Sequence, residues 1–256
     1  MCGANRNLGP NERRTISRED VGYYNALVIA AVYEIANEDI DVNYAQSYIA
    51  PLRHCIGKYP YLSVVVKDKH TEKPAYEAVS SIDLHDHVSI IHDRQASSED
   101  ETATIQKILP AILDRPWPAD IPPWQIVVLP LASPQGSTVK RCFIAFAFSH
   151  ALGDGMVGVA FHRTFLDAWR QTTGVEEKAS FLMTPPSQTL PVPFDTPERL
   201  PISWKYLLEP LIAVYLPKFV ANILGLRASA STLDAGTWIG SPMFFDPGAA
   251  LQSRVR

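Results

Sequence analysis

The stretch Phe143-Ile-Ala-Phe-Ala-Phe-Ser-His-Ala-Leu-Gly-Asp-Gly-Met-Val-Gly158 holds the residues best suited to chemistry. Its apolar, aromatic first half reads as a buried strand that delivers His150 to the strand's end. Asp154 and Gly155 then close a tight turn into a helix. A free imidazole has a pKa of about 6.5, which makes histidine the side chain able to accept a proton near neutrality. At a strand–helix turn such a ring is oriented by backbone on both sides. Asp154 stands where it can contact the imidazole or turn away to pin the loop through an arginine. Gly155 is expected to let the backbone bend where a side chain would clash, and to leave room for a ligand.

Other chemistries compete for these and nearby residues. Gly153-Asp-Gly155-Met-Val-Gly158 satisfies the dinucleotide-binding pattern G-x-G-x-x-G after a strand and at the opening of a helix, with Glu176 and Glu177 downstream. That reading needs a second apolar strand ending at the acid, and Gly174-Val-Glu-Glu-Lys offers none. His85 and His87, which would share a face if 85–91 is a strand, could gather a metal with His92 and Asp93. Their spacing matches no known ligand set, and solvated or partly buried strand residues fit better. Ser149 lacks the G-x-S-x-G elbow of a serine hydrolase and points away from its neighbour His150 on a strand.

The elements that must position His150 follow from the apolar pattern. Strands are expected at Ala26–Ala36, Tyr61–Val66, Tyr76–Val79, His85–Ile91, Trp124–Leu131 and Arg141–Phe148. Helices are expected from Asp41 or Asn43 through Ile56, ended by Gly57, over Glu101–Leu113 behind the cap cluster Ser97–Asp100, and over Met156–Gln171, stopping near Gly174. Gln135-Gly136 reads as a turn. Strands mixed with helices in this order predict an α+β fold, a two-layer sandwich whose mixed sheet carries helices on one side. Residues 1–180 form the half-domain with the histidine. Residues 181–256 hold a proline-rich linker over Thr184–Pro201, an apolar helical stretch over Trp204–Leu224 and a polar end. That helical stretch, broken by Glu209, Pro210, Pro217 and Lys218, reads as core or interface; it is too interrupted to span a membrane, though peripheral contact is compatible with it.

Composition narrows the classes. Hydrophobic residues make up 46% of 256, which excludes a disordered chain. Lys+Arg 23 against Asp+Glu 27 gives net −4 without a basic run, so nucleic acid is excluded as a partner by charge. Three scattered cysteines form neither a disulfide framework nor a zinc site, and Cys55 and Cys142 read as buried thiols. The polar start shows no apolar leader, so a cytoplasmic location is the expectation.

His150-Ala-Leu-Gly-Asp154-Gly155 resembles the His-x-x-x-Asp-Gly motif of the coenzyme A-dependent acyltransferase superfamily, which includes chloramphenicol acetyltransferase, peptide-synthetase condensation domains and plant BAHD enzymes. Within it the likeness is to fungal alcohol acetyltransferase-like proteins. Further matching residues are Leu8-Gly9-x-x-Glu12-Arg13, Tyr23-Tyr24, Tyr59-Pro60-x-Leu62, Pro123-Trp124 and Trp238-x-Gly240-Ser-Pro242. The resemblance implies a chloramphenicol acetyltransferase-like fold of which this chain is the N-terminal half with the crossover. The family's second motif, Asp-Phe-Gly-Trp-Gly or a relative, is absent from the sequence. It implies an acyl-CoA-dependent O-acyltransferase, of the acetyl-CoA:alcohol type and suited to secondary metabolism, with His150 as catalytic general base. Asp154 and Gly155 are then structural, Asp154 paired with an arginine for which Arg115, Arg141 and Arg163 are candidates. Acyl-CoA is a co-substrate and a small-molecule alcohol the acceptor. No metal or redox cofactor is implied, and the cofactor-binding residues are not assigned. A C-terminal half, or a second copy of the chain, is the implied protein partner. The alternative is a truncated, non-catalytic remnant or binding module of the same fold.

Overall fold

The structure is a computed structural model. It describes residues 6–37, 40–92, 101–133, 138–171, 179–201 and 203–224. The chain divides into two compact units, Met1–Val192 and Pro193–Arg256. In the first, the elements run β1 (Arg6–Asn7), α1 (Pro10–Asp20), β2 (Leu27–Ile35), α2 (Ile49–Lys58), β3 (Val64–Lys67), β4 (Ala75–Ala78), β5 (Ile82–Asp83) and β6 (Val88–Ile90). Then come α3 (Glu101–Leu113), β7 (Trp124–Leu131), β8 (Lys140–Phe148), α4 (Gly155–Gln171) and β9 (Leu182–Met183).

The central sheet has the order β2-β8-β7-β6. Its β2–β8 and β7–β8 pairs are antiparallel and its β6–β7 pair is parallel, the mixed sheet that the strand pattern predicts. Smaller sheets join β1, β4 and β3, and β5 with β9. Side chains alternate along β8. Cys142, Ile144, Phe146 and Phe148 enter the main core with α2 and α4, and Phe143, Ala145 and Ala147 pack with Ile108 and Ile112 of α3 on the other face. Both faces of β8 are therefore covered, which is why the strand reads as an unbroken apolar run. Helix α3 thus lies on the face opposite α2 and α4, which corrects the expectation that the mixed sheet carries helices on one side.

Helix α4 buries Gly158, Phe161, His162, Phe165 and Trp169, the three-and-four spacing of one face. Phe161 stacks on Phe146 of β8 at 3.7 Å between ring centroids. Burial of each such aromatic contributes about 1.5–3 kcal/mol. Cys55 and Cys142 are buried as expected, and burial pushes both thiols up to about 12.

Three local expectations need correction, and one helix was not expected. Residues 10–20 form a helix that the polar sequence hides: Pro10 occupies the first helical position and the Glu12 carboxylate accepts from the Gly9 amide at 2.7 Å. The helix expected from Asp41 or Asn43 starts with a 3₁₀ turn at Ala45–Tyr48, because Asp41 instead accepts from the Asn43 amide in a local turn; Gly57 lies inside its last turn. Pro60–Ser63 is a 3₁₀ turn ahead of β3. Residues 84–86 are another, so 85–91 is not one strand. The cap cluster Ser97–Asp100, the Gln135-Gly136 turn, the stop near Gly174 and Trp238-x-Gly240-Ser-Pro242 lie outside the described residues.

The second unit contains α5 (Trp204–Tyr215) and α6 (Lys218–Ile223), broken at Pro217. Trp204, Leu211, Tyr215, Phe219 and Ile223 are exposed, so these side chains do not form a core. Among the described residues of this unit, no sheet or third helix exists to cover them. No helix among the described residues is long and apolar enough to cross a membrane.

Candidate active site

The antiparallel register decides what surrounds His150. Phe148, the last residue of β8, pairs with Leu27, the first of β2, and with Trp124, the first of β7. Residues just after β8 therefore meet residues just before β2. Tyr24 lies there, its ring centroid 5.6 Å from that of His150 and tilted by 42°. The histidine is half-buried, and among the described residues neither ring nitrogen makes a hydrogen bond.

The backbone around the ring is tied down on every side. The Ser149 amide donates to the Pro123 carbonyl at 2.8 Å, extending the β7–β8 ladder by one residue. The Leu152 amide closes back on the Ser149 carbonyl at 2.9 Å, and the Tyr76 hydroxyl donates to the Ala151 carbonyl. The Ser149 side chain is fully buried; its Oγ accepts from the Ala151 amide at 3.1 Å and donates to the Glu19 carboxylate at the end of α1. A hydroxyl engaged in this way holds a turn, which agrees with the sequence reading of Ser149 as no nucleophile.

Asp154 turns away from the ring and caps α4. Its Oδ1 accepts from the Met156 and Val157 amides at 3.0 and 3.3 Å, satisfying donors that the first helical turn leaves open. The expected arginine partner is not there: Arg115 donates to Gln125, Arg141 pairs with Glu101 and Glu34, and no arginine among the described residues reaches Asp154. The role expected of Gly155 also moves. A Cβ there would meet only Ile29 Cδ1, at an ordinary 3.9 Å. The bend belongs to Gly153, at φ +156°, where a Cβ would fall 2.4 Å from Val157 Cγ2. Close approach belongs to Gly158, where a Cβ would lie 2.3 Å from Ile29 Cγ1. The G-x-G-x-x-G spacing thus has a packing cause: its last glycine lets α4 lie on β2, as in dinucleotide folds, without their second strand.

The remaining histidine candidates separate. His85 is exposed, bonded to Asp83 at 2.8 Å and stacked on Phe181. His87 is buried against the Trp124 ring at 4.0 Å, with Nδ1 bonded to the Trp124 carbonyl at 2.8 Å. The 3₁₀ turn puts the two on different surfaces, so the shared-face premise for a metal fails; Asp93 lies outside the described residues. Burial lowers the His87 pKa to about 4. His162 of α4, not singled out by the sequence, bonds through Nε2 to the Ile29 carbonyl and through Nδ1 to the Tyr33 hydroxyl, both at 2.8 Å. Its lone pair is spent on the core.

Residues that the family resemblance quoted tie the loop before β3 to the sheet and to α4. Trp124 donates from its indole to the Leu62 carbonyl at 2.8 Å, and Tyr59 bonds Thr164 of α4 at 2.6 Å. Glu19, Tyr76, Gly153 and Gly158 were not foreseen. The third glycine of the spacing was a usable signal for Gly158; the other contacts depend on tertiary pairing.

No protein-family model matches the chain. In sequence it is similar to "Probable alcohol acetyltransferase crmB" of Aspergillus fumigatus, 23% identical over 204 residues, covering 72% of this chain and 41% of that protein. The chain thus spans about two fifths of the curated relative it matches. In structure it is similar to the starter condensation domain of rhizomide synthetase RzmA, with a TM-score of 0.48 and 14% identity over 68% of this chain and 40% of that one. It is also similar to TRI3 trichothecene 15-O-acetyltransferase from Fusarium sporotrichioides, with a TM-score of 0.49 and 13% identity over 68% of this chain and 36% of that one.

Proposed function

We propose that the chain carries the proton-accepting part of an acyl-CoA-dependent O-acyltransferase that moves an acetyl group from acetyl-CoA to an alcohol of a small metabolite. His150 takes the proton of the acceptor hydroxyl. The oxygen attacks the thioester carbonyl, the carbon–sulfur bond breaks, and the departing thiolate takes the proton back from the imidazolium to leave as CoA thiol. An alcohol is almost un-ionised near neutrality, so a positioned base is worth roughly 10²–10⁴ in rate. The observation that carries this reading is the His150 ring, half-buried and without a hydrogen bond among the described residues, on a turn pinned by Pro123, Tyr76 and Ser149. The sequence likeness to an alcohol acetyltransferase supports it. Asp154 and Gly153 shape the turn, and no metal or redox group enters the reaction.

The test is thiol release from acetyl-CoA by the purified chain, followed with a thiol reagent across a panel of alcohols. Release that begins only when an acceptor alcohol is added is the expected result. Binding of acetyl-CoA without release for any alcohol would overturn the catalytic reading in favour of a binding module.

A further inference from the structure

Glu19 is hard to explain as a structural residue. It sits in the last turn of α1, where the helix carbonyls favour cations over carboxylates. It is half-buried, and burial raises its pKa despite the Ser149 hydroxyl and the Lys69 charge, which oppose the shift. Its immediate neighbour Asp20 has a different task, pairing with His70 at 2.6 Å. What Glu19 does contact is the turn: it accepts from the fully buried Ser149 hydroxyl, one residue before His150, and its charge interacts with the His150 ring.

The geometry points to Glu19 as the positioning residue of this site, fixing the His150 turn through Ser149 and placing a negative charge beside the imidazolium that forms when His150 takes a proton. The inference rests on the reading of His150 as base. Glu19 does not touch the acceptor; it acts through Ser149 and through its field. The other groups within its electrostatic reach are Lys69, Asp20, Tyr24 and Tyr76. Tyr24 also flanks the His150 ring, so carboxylate, phenol and imidazole form one cluster where α1, β2 and β8 meet.

Two variants separate charge from geometry. Glu19→Gln keeps an acceptor for the Ser149 hydroxyl and removes the charge; Ser149→Ala keeps the charge and removes the link. Both are expected to lower kcat, Glu19→Gln by roughly tenfold, while KM for acetyl-CoA and alcohol holds. The readout independent of turnover is the side-chain ¹⁵N NMR of His150, identified by its loss in His150→Ala and followed against pH. In Glu19→Gln the ring's ¹⁵N signals are expected to differ from those of the unmutated protein at the same pH, because a neighbouring charge has been removed. If kcat and the ring signals are unchanged in Glu19→Gln, the assignment of Glu19 is overturned even where His150→Ala is inactive. If the ring signals move but His150→Ala still turns over, the coupling stands and the reading of His150 as base fails.

Discussion

His150 and His87 stand at the same end of the four-stranded sheet, two strands apart. His150 follows β8, and His87 precedes β6. One ring is half-buried beside Tyr24, with no hydrogen bond among the described residues. The other is sealed under Trp124; its Nδ1 donates to a carbonyl, and its buried Nε2 has no hydrogen-bond partner among the described residues. The difference lies in what the backbone does. Around His150 the hydrogen bonds are made by the neighbours Ser149, Ala151 and Leu152, leaving the ring uncommitted. Around His87 the ring itself is the packing unit. A histidine serves proton transfer when its turn is rigid, a ring nitrogen is unspent and the ring can be reached; His87 is sealed and His162 has both nitrogens bonded, so both are core residues.

The sharpest way to break this contrast is at Gly158. A valine there would drive a Cβ into Ile29 Cγ1 and Cβ, atoms close to the β2 backbone that cannot swing aside. Gly158→Val is expected to cost about 3 kcal/mol or more in chemical denaturation, at or above the upper end for overpacking. Gly155→Ala, with only an ordinary contact to make, is expected to change stability by less than about 0.5 kcal/mol. Equal costs for the two would show that the helix does not rest on β2 through Gly158.

The other side of the contrast is sharpened by acid. His87 titrates near 4 in the folded protein and near 6.5 when unfolded, so between these values the unfolded chain binds more protons. Stability from this residue is full above about pH 6.5 and falls as pH drops toward 4, by about 3 kcal/mol in all. His87→Phe keeps a ring on Trp124 and removes the titration. Melting temperatures measured from pH 7 to 4 are expected to fall less steeply in that variant. An identical slope would mean that the His87 ring is not sealed.

The strands β7 and β8 and the helices α3 and α4 were legible within a residue, because each is a long apolar run or a clear amphipathic face. The placing of His150 and Asp154 in the turn between β8 and α4 was legible for the same reason. Helix α1 was hidden because a polar helix held by a capping box carries little periodic signal; the pair Pro10 and Glu12 was its visible mark. Tyr24, Tyr76 and Glu19 reach the turn through strand register and helix placement, which no local pattern reports. The glycine assignment shifted from Gly155 to Gly153 and Gly158 because only the approach of α4 to Ile29 reveals which position lacks room for a Cβ.

The central claim is that the His150 imidazole takes the acceptor's proton. Its most direct test is the acceptor-dependent thiol release of His150→Ala beside the unmutated chain, with circular dichroism confirming that both are folded. The account predicts a loss of roughly 10²–10⁴ in rate. A folded His150→Ala protein that releases thiol at the unmutated rate would contradict it.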